Sequence, residues 1–246
     1  MEEILAGRIP VREALRAGRS LNKVLIATHL EGRVVGEILN LARREGVPVQ
    51  RVDRSVLDKL AAGNHQGVVA LAAAREYADL DDLLSLARQK QEAPFFIILD
   101  QVEDPHNLGA ILRSAEASGA HGVIIPRRRA VGLTGAVART AAGALEYVPV
   151  ARVTNLARTI TRLQEEGIWV IGAEGDGEQD AFTADLTIPL ALVLGSEGRG
   201  LSSLIKARCD FTIKLPLRGR INSLNVAAAA TVLMYEVVRQ RYWQQG

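Results

Sequence analysis

Sulfur and aromatic rings are scarce in this chain. Among 246 residues there is one cysteine, and phenylalanine, tyrosine and tryptophan together make up 4%. A single thiol, Cys209, excludes an internal disulfide and any zinc site built from several cysteines. The four histidines, His29, His65, His106 and His121, are too scattered along the chain to suggest a metal cluster. With so few rings, the core must be built from Ala, Val, Leu and Ile, and the 48% apolar content is ample for it. That usage suits α/β proteins, whose buried parallel strands read as short aliphatic runs. Strong charge is absent too. The formal net charge of +2 does not announce a nucleic-acid binder, although a local basic patch can sit inside a balanced total. No apolar run reaches the roughly 18 residues of a membrane span. Met1–Pro10 carries two glutamates and no apolar run of signal-peptide length. The expectation is a soluble cytoplasmic protein without membrane or metal.

What is present is an alternation of strand and helix signals. In the first 75 residues, Lys23–Ala27, Val47–Val52 and Gly67–Ala72 read as strands. Pro10–Arg16, Val34–Glu45 and Ser55–Ala62 read as helices, the last with Ser55 as its cap. Leu80, Leu83, Leu84 and Ala87 recur at helical spacing within Arg75–Ala93, and Pro94 ends that segment. We therefore expect an N-terminal domain over residues 1–75, a linker over 76–93, and a second domain over 94–246. In the second domain the expected strands are Phe95–Leu99, Gly122–Ile125, Tyr147–Val150, Trp169–Ala173, Leu190–Leu194 and Phe211–Lys214. Leu108–Ser118, Thr134–Ala142, Leu156–Glu166, Leu201–Ala207 and Asn225–Tyr242 read as the helices between and after them. Such alternation predicts a mostly parallel sheet covered on both faces.

Three segments carry candidate chemistry. Strand Phe95–Leu99 runs into Asp100, Glu103, Asp104, His106 and Asn107, beyond a strand's carboxyl end, where open α/β sheets bind ligands. Arg113 follows on the next helix. The second segment, Gly195-Ser196-Glu197-Gly198-Arg199-Gly200, follows an apolar strand, and its glycines permit positive φ and close approach to a ligand. Its order is G-x-x-G-x-G, not the dinucleotide-binding G-x-G-x-x-G, and Ile171–Gly177 also lacks that order. The third segment is Pro216 through Asn222, then Ser223-Leu224-Asn225 and an alanine-rich helix that Asn222 or Ser223 can cap.

Together these segments resemble the signatures of the SpoU/TrmH (SPOUT) RNA 2′-O-methyltransferases. Asp104–Ala115 is similar to the first signature, Leu192–Leu201 to the second, and Leu215–Ala227 to the third, in family order within residues 94–246. Gly7–Leu15 and His65–Val68 resemble the substrate-binding extension of the ribosomal-RNA branch, so the likeness covers nearly the whole chain. It is greatest toward the 23S rRNA guanosine-2′-O-methyltransferase group. Ser114 stands where the family often has threonine, and Ala227 where serine is frequent.

The resemblance implies a trefoil-knotted α/β catalytic domain behind a small N-terminal α/β domain. It also implies a homodimer, S-adenosylmethionine as cofactor and RNA as substrate. By motif position it implies functional roles for Asn107, Arg113, Glu197, Ser223 and Asn225. Cofactor contacts are expected from Leu194, Gly195, Leu215, Leu217, Ser223, Leu224 and Asn225. In the family the arginine corresponding to Arg113 is assigned the 2′-hydroxyl proton. A free guanidinium keeps its own proton to about pH 12, so phosphate binding and alkoxide stabilisation suit Arg113 better. RNA contacts are expected from Arg127, Arg128 and Arg129, just after a strand end, with Arg139, Arg218 and Arg220, and from Arg8 and Arg12 in the N-terminal domain. The competing readings are a tRNA methyltransferase and a non-catalytic RNA-binding protein of the same fold.

Overall fold

The structure, a computed structural model, describes residues 4–61, 64–220 and 223–243. It divides into two compact units, Met1–Glu76 with Gly132–Ala138, and Tyr77–Val131 with Arg139–Gly246.

The first unit is a three-layer α/β/α arrangement. Its strands are β1 (Ile4–Ala6), β2 (Leu21–Ala27), β3 (Val49–Val52) and β4 (Val68–Ala72), in the order β1-β4-β2-β3. Only the β2–β3 pair is parallel. Side chains alternate across a strand. Val24, Ile26, Val68 and Ala70 therefore pack with Val11, Leu15, Val35 and Ile38 of α1 (Arg8–Arg16) and α2 (Arg33–Arg44). Leu25, Val69 and Leu71 face the other way, onto Leu57 of α3 (Arg54–Leu60). The α3 cap position is Asp53, not Ser55: Asp53 keeps an extended backbone (φ −64°, ψ 146°) and the helix begins at the next residue.

The second unit contains a seven-stranded sheet ordered β7-β6-β5-β10-β8-β11-β9, every neighbouring pair parallel. Its strands are β5 (Phe95–Leu99), β6 (Gly122–Pro126), β7 (Val150–Val153), β8 (Trp169–Ala173), β9 (Gln179–Asp180), β10 (Leu190–Leu194) and β11 (Phe211–Lys214). The central strands β5 and β10 are buried along their whole length, which accounts for their uninterrupted aliphatic runs. On one face Phe96, Ile98, Ala191, Val193 and Val170 meet α4 (Leu80–Lys90), α7 (Leu156–Glu165) and α8 (Ser203–Lys206). Helices α5 (Pro105–Ala117) and α9 (Val226–Val238) pack together, and α6 (Gly135–Ala141) lies between β6 and β7 in the chain.

Several expected boundaries move by a residue or more, two of them for a clear reason. Tyr147 is exposed and follows a 3₁₀ turn, Ala144–Glu146, and Pro149 has no N–H for a ladder, so β7 starts at Val150 instead of Tyr147. The C-terminal helix ends as an α-helix at Val238 and continues as a π-helical turn, Arg239–Trp243.

Candidate active site

Two strand ends and two helix starts converge here. Strand β5 ends at Leu99 and β10 at Leu194, and the Asp100 N–H donates to the Leu194 carbonyl at 2.8 Å. Asp100 is buried and its carboxylate accepts the Ser202 N–H at 2.8 Å, so the β5 end anchors the far side of the loop after β10. That loop is closed on itself: the Ser196 N–H donates to the Gly200 carbonyl at 3.1 Å, and the Gly200 N–H to the Ser196 carbonyl at 3.0 Å. Gly198 (φ +79°) and Gly200 (φ +66°) supply the left-handed turns this needs. Glu197 and Arg199 therefore stand on either side of Gly198.

Gly195 is required by the fold of the loop itself. A Cβ there would lie 2.1 Å from the Gly200 carbonyl carbon and 2.4 Å from the Leu201 nitrogen. The space that the missing side chain leaves is filled by the chain's own backbone. Gly177 is similar, since its Cβ would fall 2.4 Å from the Ile213 carbonyl carbon. Gly172, in the same Ile171–Gly177 segment, faces the side chains of Leu201, Cys209 and Thr212, so both glycines are close-packing points.

Helix α5 begins beside this loop. Asp104 caps it by accepting the His106 N–H at 2.8 Å, and Pro105 occupies the first turn, where a missing N–H costs nothing. Asn107 on that turn is buried. Helix α9 begins with Asn225, whose side-chain oxygen accepts the N–H groups of Ala227 (3.0 Å) and Ala228 (3.2 Å). Asn225 is therefore the cap. Ser223 is exposed, and Asn222 lies outside the described residues. Because its oxygen is committed to the helix, the Asn225 amide must point its NH₂ group outward. That NH₂ donates to the Asn107 side-chain oxygen at 2.9 Å and to the Glu197 carboxylate. Asn107 in turn donates to the same Glu197 oxygen at 3.2 Å, and the Val226 N–H does so at 3.3 Å. One carboxylate oxygen thus joins residues from all three signature segments. A hydroxyl pair, Ser114 and Thr231 at 2.7 Å, fastens the same two helices farther along.

A cleft of about 310 Å³ opens at this node, lined by Gln101, Val102, Glu103, Asp104, Asn107, Ser196, Glu197, Arg199 and Val226. Of the residues expected at the site, Asn107, Glu197 and Asn225 are brought together. Arg113 is not among the lining residues. Six residues beyond Asn107, it lies about 9 Å along the helix and about 240° around it, and it is exposed. Leu194 and Gly195 are buried, Leu215 is half-buried, and Leu217 and Leu224 expose 40% and 45% of their surface. Arg128, Arg129, Arg139, Arg218 and Arg220 are exposed. Arg127 is half-buried, with its carbonyl accepting from Arg152 at 3.3 Å. Arg8 donates to the Gln66 carbonyl at 3.1 Å, and Arg12 is paired with Glu13 at 2.8 Å and Glu37 at 3.3 Å. Sequence reasoning passed over Arg199, although its place between two glycines of the second segment marks it as a loop-tip residue. Cys209 is not a candidate nucleophile. Burial, with the nearby carboxylates of Asp210 and Glu174, pushes its thiol up to about 12.

Residues 94–235 match the SpoU rRNA methylase family, and residues 4–78 match the RNA 2′-O ribose methyltransferase substrate-binding family. YacO of Bacillus subtilis, assigned to the TrmH family of tRNA/rRNA methyltransferases, is 51% identical over 97% of this chain and 96% of its own. The SpoU methyltransferase AviRb from Streptomyces viridochromogenes, solved in complex with the cofactor AdoMet, superimposes with a TM-score of 0.63 at 28% identity, covering 98% of this chain and 90% of AviRb. An AdoMet-bound rRNA methyltransferase from Sinorhizobium meliloti gives 0.59 at 26% identity, over 96% and 86%. With its signature segments gathered at one node and nearly its whole length matched, the chain belongs to the SpoU/TrmH family of RNA methyltransferases.

Proposed function

We propose that the protein methylates a ribose 2′-hydroxyl of RNA, with a guanosine of 23S rRNA as acceptor and S-adenosylmethionine as cofactor. The observation that carries this reading is the node at Glu197, where Asn107, Asn225 and the Val226 N–H converge on one carboxylate oxygen beside an open cleft. Such convergence fixes a geometry, and methyl transfer asks above all for positioning.

The residues fit the cofactor. Leu217 and Leu224 hold exposed apolar side chains at the two ends of the loop before α9, and half-buried Leu215 precedes it. An adenine ring would cover those side chains while backbone groups at Leu194, Gly195 and Leu215 read its edge. When bound, S-adenosylmethionine supplies an electrophilic methyl group on a sulfonium. Glu197 offers a carboxylate to that cationic end, with one oxygen held in place by its three donors. Asn225 sets the start of α9, and with it the approach past Ser223. Arg113 does not line the cleft of its own chain, so its role, binding the phosphate beside the acceptor ribose bidentately and stabilising the alkoxide that develops as the 2′-oxygen loses its proton, is exercised at the cleft of the partner in the proposed dimer.

The finer parts of this reading follow the family resemblance: a trefoil knot in the catalytic unit, a cytoplasmic location and a homodimer. The dimer has support on α9, where Val232 and Tyr235 are 40% and 43% exposed one turn apart. RNA contacts fall to Arg128, Arg129, Arg139, Arg218 and Arg220, which are exposed, with Arg8 and Arg127. Arg12 is already paired with Glu13 and Glu37, which makes it a poorer candidate. The N-terminal match to a substrate-binding family favours a separate RNA-recognition module, and residues 1–75 are our choice for it.

The test is transfer of labelled methyl from S-adenosylmethionine to 23S rRNA and to tRNA, followed by alkaline hydrolysis. We expect label on 23S rRNA in alkali-resistant dinucleotides. Label on tRNA alone would move the substrate, label on bases would overturn ribose methylation, and RNA binding without transfer would make the protein a binding module.

A further inference from the structure

The cleft has a cation of its own. Of the described arginines, Arg199 alone lines it alongside Asn107 and Glu197. Arg199 is exposed, and no described residue holds its guanidinium in a hydrogen bond or ion pair. Its place at the cleft is held by the loop on which it stands, which the Ser196–Gly200 backbone pair and the two left-handed glycines fix. The other charges of the cleft are carboxylates. Asp104 is committed to the α5 cap and Glu197 to the three-donor node, which leaves Glu103 without such a commitment. A polyanion entering this cleft meets three carboxylates and one guanidinium. Arg199 is the group that can make its entry favourable.

We infer that Arg199 is a substrate-binding residue that holds a backbone phosphate of the acceptor RNA inside the cleft, a second phosphate contact separate from that of Arg113. The inference rests on the methyl-transfer reading above. A guanidinium suits the task because its planar fork meets two phosphate oxygens at once, and it cannot lose its charge at neutral pH.

The test uses the full-length protein with Arg199→Gln and Arg199→Lys. For Arg199→Gln the RNA KM should rise about ten- to a hundred-fold, the range of one charged hydrogen-bonding contact, with the loss on KM and not on kcat. The dependence of log affinity on log salt, read by filter binding without turnover, should flatten by about 0.7, the share of one single-strand phosphate. Arg199→Lys should recover part of the affinity, since it keeps the charge and loses the fork. S-adenosylmethionine affinity by calorimetry should not change. An unchanged RNA KM and salt slope would overturn the inference. So would a fall in S-adenosylmethionine affinity, which would assign Arg199 to the cofactor's carboxylate. If the wild-type protein transfers no methyl to RNA, the function proposed above fails, while filter binding still decides whether Arg199 meets a phosphate.

Discussion

The two units use charge differently. In the first, arginines are paired along the helix surfaces: Glu37 meets Arg12 at 3.3 Å, Arg16 at 3.5 Å and Arg33 at 3.5 Å. The second also pairs arginines, Arg88 with Glu166, Arg162 with Asp81 and Arg239 with Glu236, but the side chains of Arg199 at the cleft and of Arg113, Arg128, Arg129, Arg139, Arg218 and Arg220 elsewhere have no partner among the described residues. Meanwhile the polar groups at the node satisfy one another, Glu197 with Asn107 and Asn225. Paired surface charges add a little stability. Unpaired ones are available to a polyanion. The second unit thus combines a tightly satisfied polar node with a set of open cations, the combination expected where RNA chemistry takes place.

The sharpest way to break this contrast is at the loop that carries Glu197 and Arg199. Gly195→Ala puts a Cβ about where the Gly200 carbonyl stands, and the loop must rebuild. We expect a loss of roughly 3 kcal/mol in chemical denaturation, at the upper end for overpacking, and no detectable turnover. An active, stable variant would mean that the loop is not held as described. Next in size is Arg113→Ala. Turnover should fall about 10²–10³-fold, as when an oxyanion-stabilising donor is removed. Thermal stability and S-adenosylmethionine affinity should not change, because Arg113 is exposed and outside the cleft lining.

A smaller effect separates the node from its scaffold. His121 is buried, and its Nδ1 accepts the Phe95 N–H at 3.1 Å. Burial, with the Lys90 cation, pushes its imidazole below the ordinary range, partly opposed by Glu92. The folded state therefore favours the neutral ring, and the unfolded chain takes up the proton first. The stabilisation is complete above about pH 6.5 and declines as pH falls below it, by at most about 1.4 kcal/mol per pH unit. Melting curves at pH 7.5 and 5.5 should show the loss for the wild type and a smaller one for His121→Gln. Least of all should be Glu37→Gln in the first unit, about 0.5 kcal/mol at low salt and nothing measurable at high salt, as for exposed ion pairs.

How much was legible in the sequence follows from the same contrast. β5 and β10 were readable because strands buried on both faces are aliphatic throughout. β1, with three residues, and β9, with two, are too short to carry a period. The grouping of Gly132–Ala138 with the first unit depends on contacts far apart in the chain, and no local pattern records those. At the site, motif resemblance picked out Asn107, Glu197 and Asn225, and the structure supplies what binds them: a cap that turns one amide toward a shared oxygen. The packing reason for Gly195 is not legible in one dimension, where a glycine kept for a neighbouring backbone looks like one kept for a ligand. Arg199 was passed over because an exposed arginine in a turn looks like ordinary surface until the cleft beside it is seen.

Asn107, Glu197 and Asn225, joined at one carboxylate oxygen, act as one unit. The most direct measurement is kcat for Glu197→Ala, Asn225→Ala and the double variant, in variants shown to be folded. If the node works as a unit, the double variant is no slower than the slower single variant within about three-fold, because units of this kind are strongly non-additive. Independent effects that multiply in the double variant would contradict it.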